Sequence, residues 1–488
     1  MKRIISLLLA SVLLLGLVCS CNGDIGNGGG GAADNNAIKT DGDYTLPELN
    51  MNGETVKVLN VNGISKMKVD FVTPEDSDDT LDIAIYESNM RAQEQFNFRF
   101  VEEEFEFLSY DESHIDMANY FIKNVNSGDD IYDFIHYPVN QRTDLITNGY
   151  IMDLSELDGL HLDQPWWDQA IINNIEINDR LYMACGAINL NPYEAMTTIF
   201  FNKDMLSDYA LDDPYEMVRD GSWTIEAMVA LGREVQNLNS DPHWGVYEGG
   251  TSTYGMARHY HFPSHFLIGA GLSYVEEENG VYTLTKGSDD FYLAAELMRP
   301  LFVDPGSGGI AVGGLDSTRD DFYIKMFGEG RTLFLMSELK AGVEMREYEI
   351  NFGILPVPKL REEQDMYYTD ETERLHYVCI PTLSEKPDEV AQILDAMAYD
   401  RYKNVIPVYY DSYVTYKGLR DEESLEMLEI LSKGRTVDVG FAYGWVSKFV
   451  MNNLNAAICL NSDLSSLLAA VSNSINKTID TFVSENMS

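Results

Sequence analysis

The sequence is poor in cysteine, in basic residues and in histidine. It has 5 cysteines and 8 histidines in 488 residues, and 79 acidic residues outnumber 34 lysines and arginines, for a formal net charge of −45. So few cysteines do not supply a disulfide framework, and we expect Cys185, Cys379 and Cys459, which lie in apolar surroundings, to be buried thiols. A strongly acidic chain repels polyanions, so we expect no binding to nucleic acid.

The common catalytic motifs are also missing. The sequence contains no phosphate-binding P-loop, no Gly-x-Ser-x-Gly turn and no His-Glu-x-x-His pair. The stretch "HYHFPSH" places His259, His261 and His265 close together, but this spacing is a weak metal signal and we expect neither a metal nor a cofactor. The paired carboxylates of a glycosidase are neither supported nor excluded by so many acids. We therefore expect a protein that is not an enzyme.

The N-terminal residues have the layout of a secretory signal. Lys2 and Arg3 precede an apolar run that is short for a membrane span and ends in Val18-Cys19-Ser20-Cys21. These last four residues resemble a bacterial lipobox, which implies cleavage before Cys21 and lipidation of its thiol. A plain secreted protein is the alternative. Residues 22–46 have almost no apolar content, so we expect a flexible tether between the signal, residues 1–21, and the body of the protein.

The remaining chain of about 440 residues is too long for one compact core and predicts two lobes. No later stretch is long and apolar enough to span a membrane. Alternating and helical patterns predict strand, helix, strand, helix and strand between residues 54 and 140, which is typical of a parallel sheet built from βαβ units. Ligands of such sheets lie beyond the carboxyl ends of the strands. This rule points to Asn62 and to residues 137–141.

Several motifs along the chain, in this order, resemble those of one family. The family is that of the extracellular solute-binding proteins of the sugar type, the maltose-binding-protein-like receptors of ABC importers. The resemblance covers most of residues 50–480, and it is carried by the order of the motifs, since each alone is weak. The motifs are "NSGDDIYDFIHY", "TNGYIMDLSEL", "FFNKDML", "GSWTIEAM", "GRTLFLMS" followed by "NFGILPVPK", and "KPDEVAQILDAM".

The resemblance implies an α/β fold of the two-lobed periplasmic-binding-protein type (type II). Each lobe would be a mostly parallel sheet flanked by helices, and crossing hinge strands would join the lobes around the ligand. We expect the crossovers near residues 186–198 and 375–381. The corresponding boundaries are 47–188 and 376–430 for lobe I, and 189–375 and 431–488 for lobe II.

The resemblance also implies a set of ligand-binding residues. Flat aromatic rings cover the apolar faces of sugars, and polar side chains bond the hydroxyl groups. We expect the rings of Tyr137 and Trp445 on opposite sides of one solute, with packing in the protein core as the alternative. The full expected set is Asn62, Tyr137, Asn140, Gln141, Asn191, Tyr193, Ser337, Glu338, Tyr443 and Trp445.

These features predict a lipid-anchored receptor at the outer face of the cell membrane. It would be a monomer that captures a small solute, most simply a carbohydrate or oligosaccharide, by hinge closure and delivers it to the transmembrane subunits of an ABC permease. One alternative is a receptor of the same fold for a peptide or another solute, or one that feeds a sensor kinase. A surface carbohydrate-active enzyme is the other.

The lipid anchor is testable by replacing Cys21 with Ser. We expect the variant to leave the membrane fraction, because the thiol that would carry the lipid is gone, whereas Cys19→Ser should stay membrane-bound. Cell fractionation followed by immunoblotting measures both. A C21S variant that partitions with membranes as the parent does would refute the lipoprotein interpretation.

Overall fold

The structure is a computed structural model that describes residues 37–40, 42, 44–61, 70–105, 110–129, 131–239, 250–257, 262–312, 320–371, 374–411 and 421–487. Within these ranges the strands form two larger sheets and two small two-stranded ones. The strands are β1 (Glu54–Val61), β2 (Phe98–Phe105), β3 (Phe134–Tyr137), β4 (Thr197–Asn202), β5 (Tyr254–Ala257), β6 (Val275–Glu278), β7 (Val281–Leu284), β8 (Ala311–Val312), β9 (Thr332–Glu338), β10 (Phe352–Leu355), β11 (Thr369–Asp370), β12 (Tyr377–Cys379) and β13 (Arg435–Thr436).

Helices cover both larger sheets. Short 3-10 turns interrupt the connections, and a π-helical turn, Val450–Leu454, lies between α17 and α18. The α-helices are α1 (Thr80–Phe96), α2 (Tyr110–Ser127), α3 (Asp144–Thr147), α4 (Gln169–Ile175), α5 (Asn191–Glu194), α6 (Lys203–Tyr209), α7 (Pro214–Asp220), α8 (Ile225–Glu234), α9 (Pro263–Gly269), α10 (Asp289–Met298), α11 (Asp320–Gly328), α12 (Ala341–Glu344), α13 (Pro387–Asn404), α14 (Ile406–Val408), α15 (Glu422–Lys433), α16 (Val439–Ala442), α17 (Ser447–Phe449), α18 (Asn455–Leu460) and α19 (Leu464–Asn486).

The first helix shows how local sequence sets an element. The Asp79 side chain accepts hydrogen bonds from the backbone N–H groups of Leu81 and Asp82, so it caps the start of α1. Asn97 ends the helix in the left-handed conformation, with φ of 51°. Apolar residues at helical spacing, among them Ile85 and Phe96, form the buried face.

The first larger sheet has the strand order β12-β3-β1-β2. β1 is parallel to both β2 and β3, and helices α1 and α2 make the two crossovers. β12 joins β3 in the antiparallel direction. The predicted βαβ run is therefore confirmed, because each parallel pair of strands needs a helix to bring the chain back to the same end of the sheet.

The second larger sheet has the order β10-β4-β9-β5-β8. β5 is parallel to β8 and β9, whereas β4 is antiparallel to β9 and β10. This sheet is mixed rather than mostly parallel as expected. The reason is the point of entry: β4 begins at Thr197 opposite Glu338, the residue at which β9 ends, so the two strands must run in opposite directions.

Two crossing segments join the sheets. Residues 184–196 lead from the first sheet to β4, and the second segment, described at residues 371 and 374–376, leads back to β12. The first segment is bridged in the antiparallel direction near both ends, from Ala184 to Val378 of β12 and from Met196 to Glu371 of the second segment. The two segments overlap the predicted crossovers at 186–198 and 375–381. Farther along the chain, α13 packs against α1, while α15 packs against β10; the lobe boundaries themselves remain a prediction.

The packed body begins earlier than predicted. Ile38 and Tyr44 are buried, although both fall in the expected tether. The Tyr44 ring stacks on Tyr399 at a centroid distance of 4.6 Å and meets the edge of Trp166 at 5.0 Å. These two side chains are exceptions in a polar segment, and the ring contacts tie Tyr44 to the packed body of the protein. The signal, Cys21 and the tether up to residue 36 lie outside the described residues.

The remaining cysteines and the helices agree with the sequence where the structure describes them. Cys185, Cys379 and Cys459 are free and buried, as expected. Burial raises the pKa of the Cys379 thiol well above its usual range, so this thiol is inert. Among the described helices, none has the length and apolar character needed to cross a bilayer.

Asp395 on α13 is the acceptor that holds the "DQPWW" loop in place. Its buried carboxylate accepts hydrogen bonds from the indole nitrogens of Trp166 and Trp167, at 2.9 and 2.8 Å, and from the backbone N–H of His161 at 3.1 Å. The indole N–H of a buried tryptophan usually needs a hydrogen-bond partner. One carboxylate therefore fixes the position of two large rings.

We expect Asp395→Ala to lower the free energy of unfolding by about 3 kcal/mol or more. The substitution leaves two buried indole N–H groups without an acceptor, at roughly 1–3 kcal/mol each. Urea denaturation followed by tryptophan fluorescence measures the change. The control is Asp163→Ala, because Asp163 is exposed in the same loop. Equal denaturation midpoints for the two variants would contradict this role.

Candidate functional site

The crossing segments adjoin the sheet edges at which ligands are expected. In the first sheet, Tyr137 ends β3 and pairs with Tyr377, the first residue after the second crossing segment. In the second sheet, Glu338 ends β9 and pairs with Thr197, the first residue after the first crossing segment. A molecule lying over the crossing segments would therefore meet the carboxyl ends of strands from both sheets.

Asn191 fastens the two crossing segments to each other. Its side-chain amide donates to the carbonyl oxygen of Arg374 at 2.9 Å and accepts from the backbone N–H of His376 at 2.7 Å. The residue is fully buried. Asn191 was expected to contact ligand, and the structure instead commits both ends of its amide to the backbone of the hinge.

A buried group of charges lies beside these segments. The Arg435 guanidinium donates to Glu371 Oε1 at 2.7 Å and to the carbonyl oxygen of Pro192 at 3.0 Å, and it lies 5.5 Å from the centre of the Tyr193 ring. Burial raises the pKa of Glu371 to about 7, although Arg435 opposes the shift. Glu371 Oε2 accepts no hydrogen bond from a described residue, which adds to the cost of ionising this carboxyl.

Ser337 and Glu338 lie at the end of β9, as expected, and both are largely buried. Glu338 forms an ion pair with Arg374 at 2.7 Å, and the Ser337 hydroxyl donates to Glu338 at 3.2 Å. The Glu338 carboxylate is therefore already partnered by a residue of the second crossing segment. This pair positions a charged group at the edge of the second sheet, next to the hinge.

Tyr137 and its neighbours form part of the first-sheet edge. The Tyr137 ring is fully buried, and burial raises the pKa of its hydroxyl above the usual range. Asn140 follows in a 3-10 turn and is 8% exposed; its Oδ1 accepts no hydrogen bond from a described residue. Gln141 ends the same turn, but its side chain lies outside the described part of the structure, as does Asn62.

Tyr443 and Trp445 belong to an aromatic cluster. Their rings stack at 5.5 Å with an interplanar angle of 18°, and Phe482 of α19 and Tyr282 of β7 contact Trp445 at 5.3 and 6.2 Å. The Tyr443 hydroxyl donates to the carbonyl oxygen of Ile175 at 2.7 Å. The faces and edges of these rings are thus largely occupied by the protein, which favours the packing alternative.

The structure brings the segments around Tyr137 and Trp445 together. Gly444, with φ of +71°, lies so close to Asn140 that a β-carbon would be 2.7 Å from the Asn140 carbonyl oxygen. The Thr143 hydroxyl donates to the Tyr443 carbonyl oxygen at 2.7 Å, and Ser447 donates to that of Asn140 at 3.1 Å. The two segments were expected to face each other across a solute, and instead they are in direct contact.

Tyr193 is the predicted aromatic residue that stays half-buried. Its ring meets the edge of Tyr410, also half-buried, at a centroid distance of 6.1 Å and an angle of 87°. Tyr410, Arg374 and Arg435 are not among the residues predicted from the sequence. No local pattern marks them, since the residues they contact lie far away in the chain.

The histidine cluster is only partly described. His259 and His261 lie outside the described residues. His265 is buried, and its Nδ1 lies 2.9 Å from Asp370 Oδ2, which fits a structural pair. Within the described ranges, no group of three histidine, cysteine or acidic side chains is arranged to hold a metal ion.

No protein-family model matches the sequence, and no curated protein matches it. Solved structures match its fold. The galacto-N-biose-/lacto-N-biose I-binding protein of the ABC transporter from Bifidobacterium longum, in complex with lacto-N-biose, is 10% identical with a TM-score of 0.57, over 89% of this chain and 98% of that one. An ABC substrate-binding protein from Listeria monocytogenes, in complex with cycloalternan, is 12% identical with a TM-score of 0.55, over 88% of this chain and 99% of that one.

A third match has a similar extent. The GacH receptor of Streptomyces glaucescens, solved unliganded and with acarbose, is 11% identical with a TM-score of 0.53, over 89% of this chain and 99% of that one. The predicted type of fold is confirmed: the chain has the fold of the sugar-binding solute-binding proteins of ABC transporters. At such identities the likeness shows the fold alone.

The raised pKa of Glu371 predicts a pH dependence. The folded protein keeps a proton on this carboxyl up to about pH 7, whereas an unfolded chain releases it near pH 4.5. The resulting stability is present below pH 4.5, is lost as the pH rises to 7, and amounts to roughly 3 kcal/mol. We expect Glu371→Gln to reduce the fall in melting temperature between pH 5 and pH 8.

The control for this experiment is Glu363→Gln at an exposed position. Glu102 and Asp438, whose pKa values burial raises to about 7 and about 6, preserve part of the pH dependence in every variant. Differential scanning calorimetry between pH 5 and pH 8 gives the change of melting temperature with pH for each variant. If this change is the same in E371Q, in E363Q and in the parent, Glu371 does not titrate between pH 5 and pH 8.

Proposed function

We propose that this chain is an extracellular receptor that binds a small solute between its two lobes and delivers it to an ABC permease. The solute is a carbohydrate or oligosaccharide, and the receptor is held at the outer face of the membrane through Cys21. The observation that supports the proposal is a fold matched over nearly nine-tenths of the chain by receptors solved with lacto-N-biose and cycloalternan.

The proposed function uses binding alone. A ligand that contacts both lobes stabilises the closed arrangement by its differential affinity, and the crossing segments provide the hinge. The solved relatives named above are binding proteins, so we propose that the chain is not an enzyme. The tether then serves to keep the receptor near its permease and to raise the effective concentration of delivered solute.

We propose Tyr193 as the aromatic contact of the solute, because its ring is half-buried beside the hinge and has Tyr410 next to it. Such partly exposed rings suit the apolar face of a sugar. Asn140, Ser337 and Trp445 keep exposed fractions of 8, 9 and 6%, and they are proposed as peripheral contacts. Tyr137, Glu338 and Tyr443 are proposed to shape the site rather than touch the solute.

A thermal-shift screen against a panel of oligosaccharides tests the function. A bound sugar at 100 times its dissociation constant adds about 2.7 kcal/mol of stability, and we expect at least one panel member to raise the melting temperature. The dissociation constant of that sugar is then measured for the parent and for Tyr193→Ala. The variant should bind it roughly tenfold more weakly, because a stacked ring is lost. Tyr209→Ala is the control, since Tyr209 is exposed on α6.

Three outcomes are informative. A panel without any stabilising sugar argues against carbohydrate as the solute, and the same screen with peptides then tests the alternative receptor. Release of smaller sugars from a panel member would identify an enzyme. A Y193A variant that binds the stabilising sugar as tightly as the parent does would place the site elsewhere in the cleft.

A further inference from the structure

Arg435 connects more parts of the chain than the hinge segments alone. β13, which carries it, runs parallel to β11, with Thr369 opposite Arg435 and Asp370 opposite Thr436. Glu371, which directly follows β11, forms the bridge to Met196 of the first crossing segment. β13 thus lies beside the two crossing segments at this point, and the Arg435 side chain is fixed to them through Glu371 and Pro192.

The same guanidinium also reaches a residue of the first lobe. Arg435 Nη2 forms an ion pair with Asp168 Oδ2 at 2.6 Å, and the two side chains are only 7 and 5% exposed. Asp168 caps the start of α4 by accepting from the backbone N–H of Ile171. It directly follows Trp167, whose indole is bound by Asp395 of α13. Asp168 is therefore linked to α13 of the first lobe through the neighbouring Trp167, while α4 itself packs against β13 and α16.

The chain directly after β13 is anchored to the second lobe. Asp438, two residues after Thr436, accepts hydrogen bonds from the backbone N–H groups of Tyr274 and Val275 at 2.7 and 3.1 Å. These residues follow α9 and begin the β6–β7 hairpin. The Arg435–Asp168 ion pair thus joins a strand held by the second lobe to a helix cap held by the first.

We propose that the Arg435–Asp168 pair is a positioning contact that sets the balance between the open and closed arrangements of the lobes. The proposal rests on the proposed function, in which the lobes close about the crossing segments. A buried charge pair resists separation, because each ion left without its partner in a low-dielectric interior costs far more than it would at the surface. The pair therefore restrains the angle between the lobes without touching the solute.

The experiment measures the distance between the lobes in the full-length, ligand-free protein. Bioorthogonal fluorophores are attached at Ser127, exposed at the end of α2, and at Asp208, exposed on α6, so that native cysteines play no part. We expect Asp168→Asn to shift the single-molecule energy-transfer distribution toward longer distances by about 2 Å or more, the scale of hinge rearrangements. Arg435→Lys keeps the charge but loses the fork geometry, and it should shift the distribution in the same direction.

The matched control is Asp400→Asn. Asp400 is itself buried and forms an ion pair with Arg91 at 2.7 Å, but both residues lie on helices of the first lobe, α13 and α1. We expect D400N to lower the melting temperature as D168N does and to leave the distance distribution unchanged. A D168N distribution identical to that of the parent, or the same shift in D168N and D400N, overturns the proposal.

The outcome is independent of whether any sugar binds. Failure of the oligosaccharide screen would refute the proposed solute and leave the ligand-free distances unaffected. If D168N fails to fold, R435K carries the test alone: an unchanged distance distribution in R435K overturns the proposal, and a shift absent from D400N supports it.

Discussion

The two crossing segments are the constraint on which the rest of the structure depends. They belong to neither larger sheet, so their backbone groups have few ladder partners, and buried backbone groups must be satisfied in some other way. The Asn191 amide does this at the centre, by bonding the backbone on both sides of Leu375. Arg401 of α13 adds a second clamp, donating to the carbonyl oxygens of Ile188 and Phe71. These polar contacts help to hold the crossing segments in place.

Two groups of buried charged side chains lie at this hinge, in addition to buried charged residues such as Asp395 and Asp400 on α13. Glu371, Arg435 and Asp168 form one group, and Glu338 with Arg374 forms another at the end of β9. Such groups add little net stability, because desolvation offsets much of the Coulombic attraction. Their contribution is to geometry, since a guanidinium between two carboxylates fixes the positions of the chain segments that carry these groups relative to one another. A receptor that closes and reopens needs a defined hinge more than a rigid one.

The aromatic residues illustrate the limit of assigning a site by composition. Tyr443 and Trp445 stand in a glycine-flanked turn, a context that fits both a ligand contact and a packing residue. The structure places them against Phe482 and Tyr282, because the last helix returns across the turn and needs large apolar partners. Tyr193 follows a proline at the crossover, and it remains half-buried. Neighbouring residues in the sequence do not distinguish these cases.

The sequence by itself determined the features that depend on local pattern. The strands and helices from Glu54 to Tyr137 follow from alternation, helical spacing and caps such as Asp79, and the two-lobed fold follows from chain length and from motifs in a fixed order. Tertiary structure alone decided which side chains meet: that the Asn191 amide bonds the backbone of the second crossing segment, that the turn at Gly444 lies against Asn140, and that Arg435 reaches Asp168. These contacts join residues separated by up to about 300 positions, as the bond between Thr143 and Tyr443 shows. Hydrophobic period and turn chemistry act over a few residues and carry no information about partners so distant, so the roles of these residues are fixed only when the chain has folded.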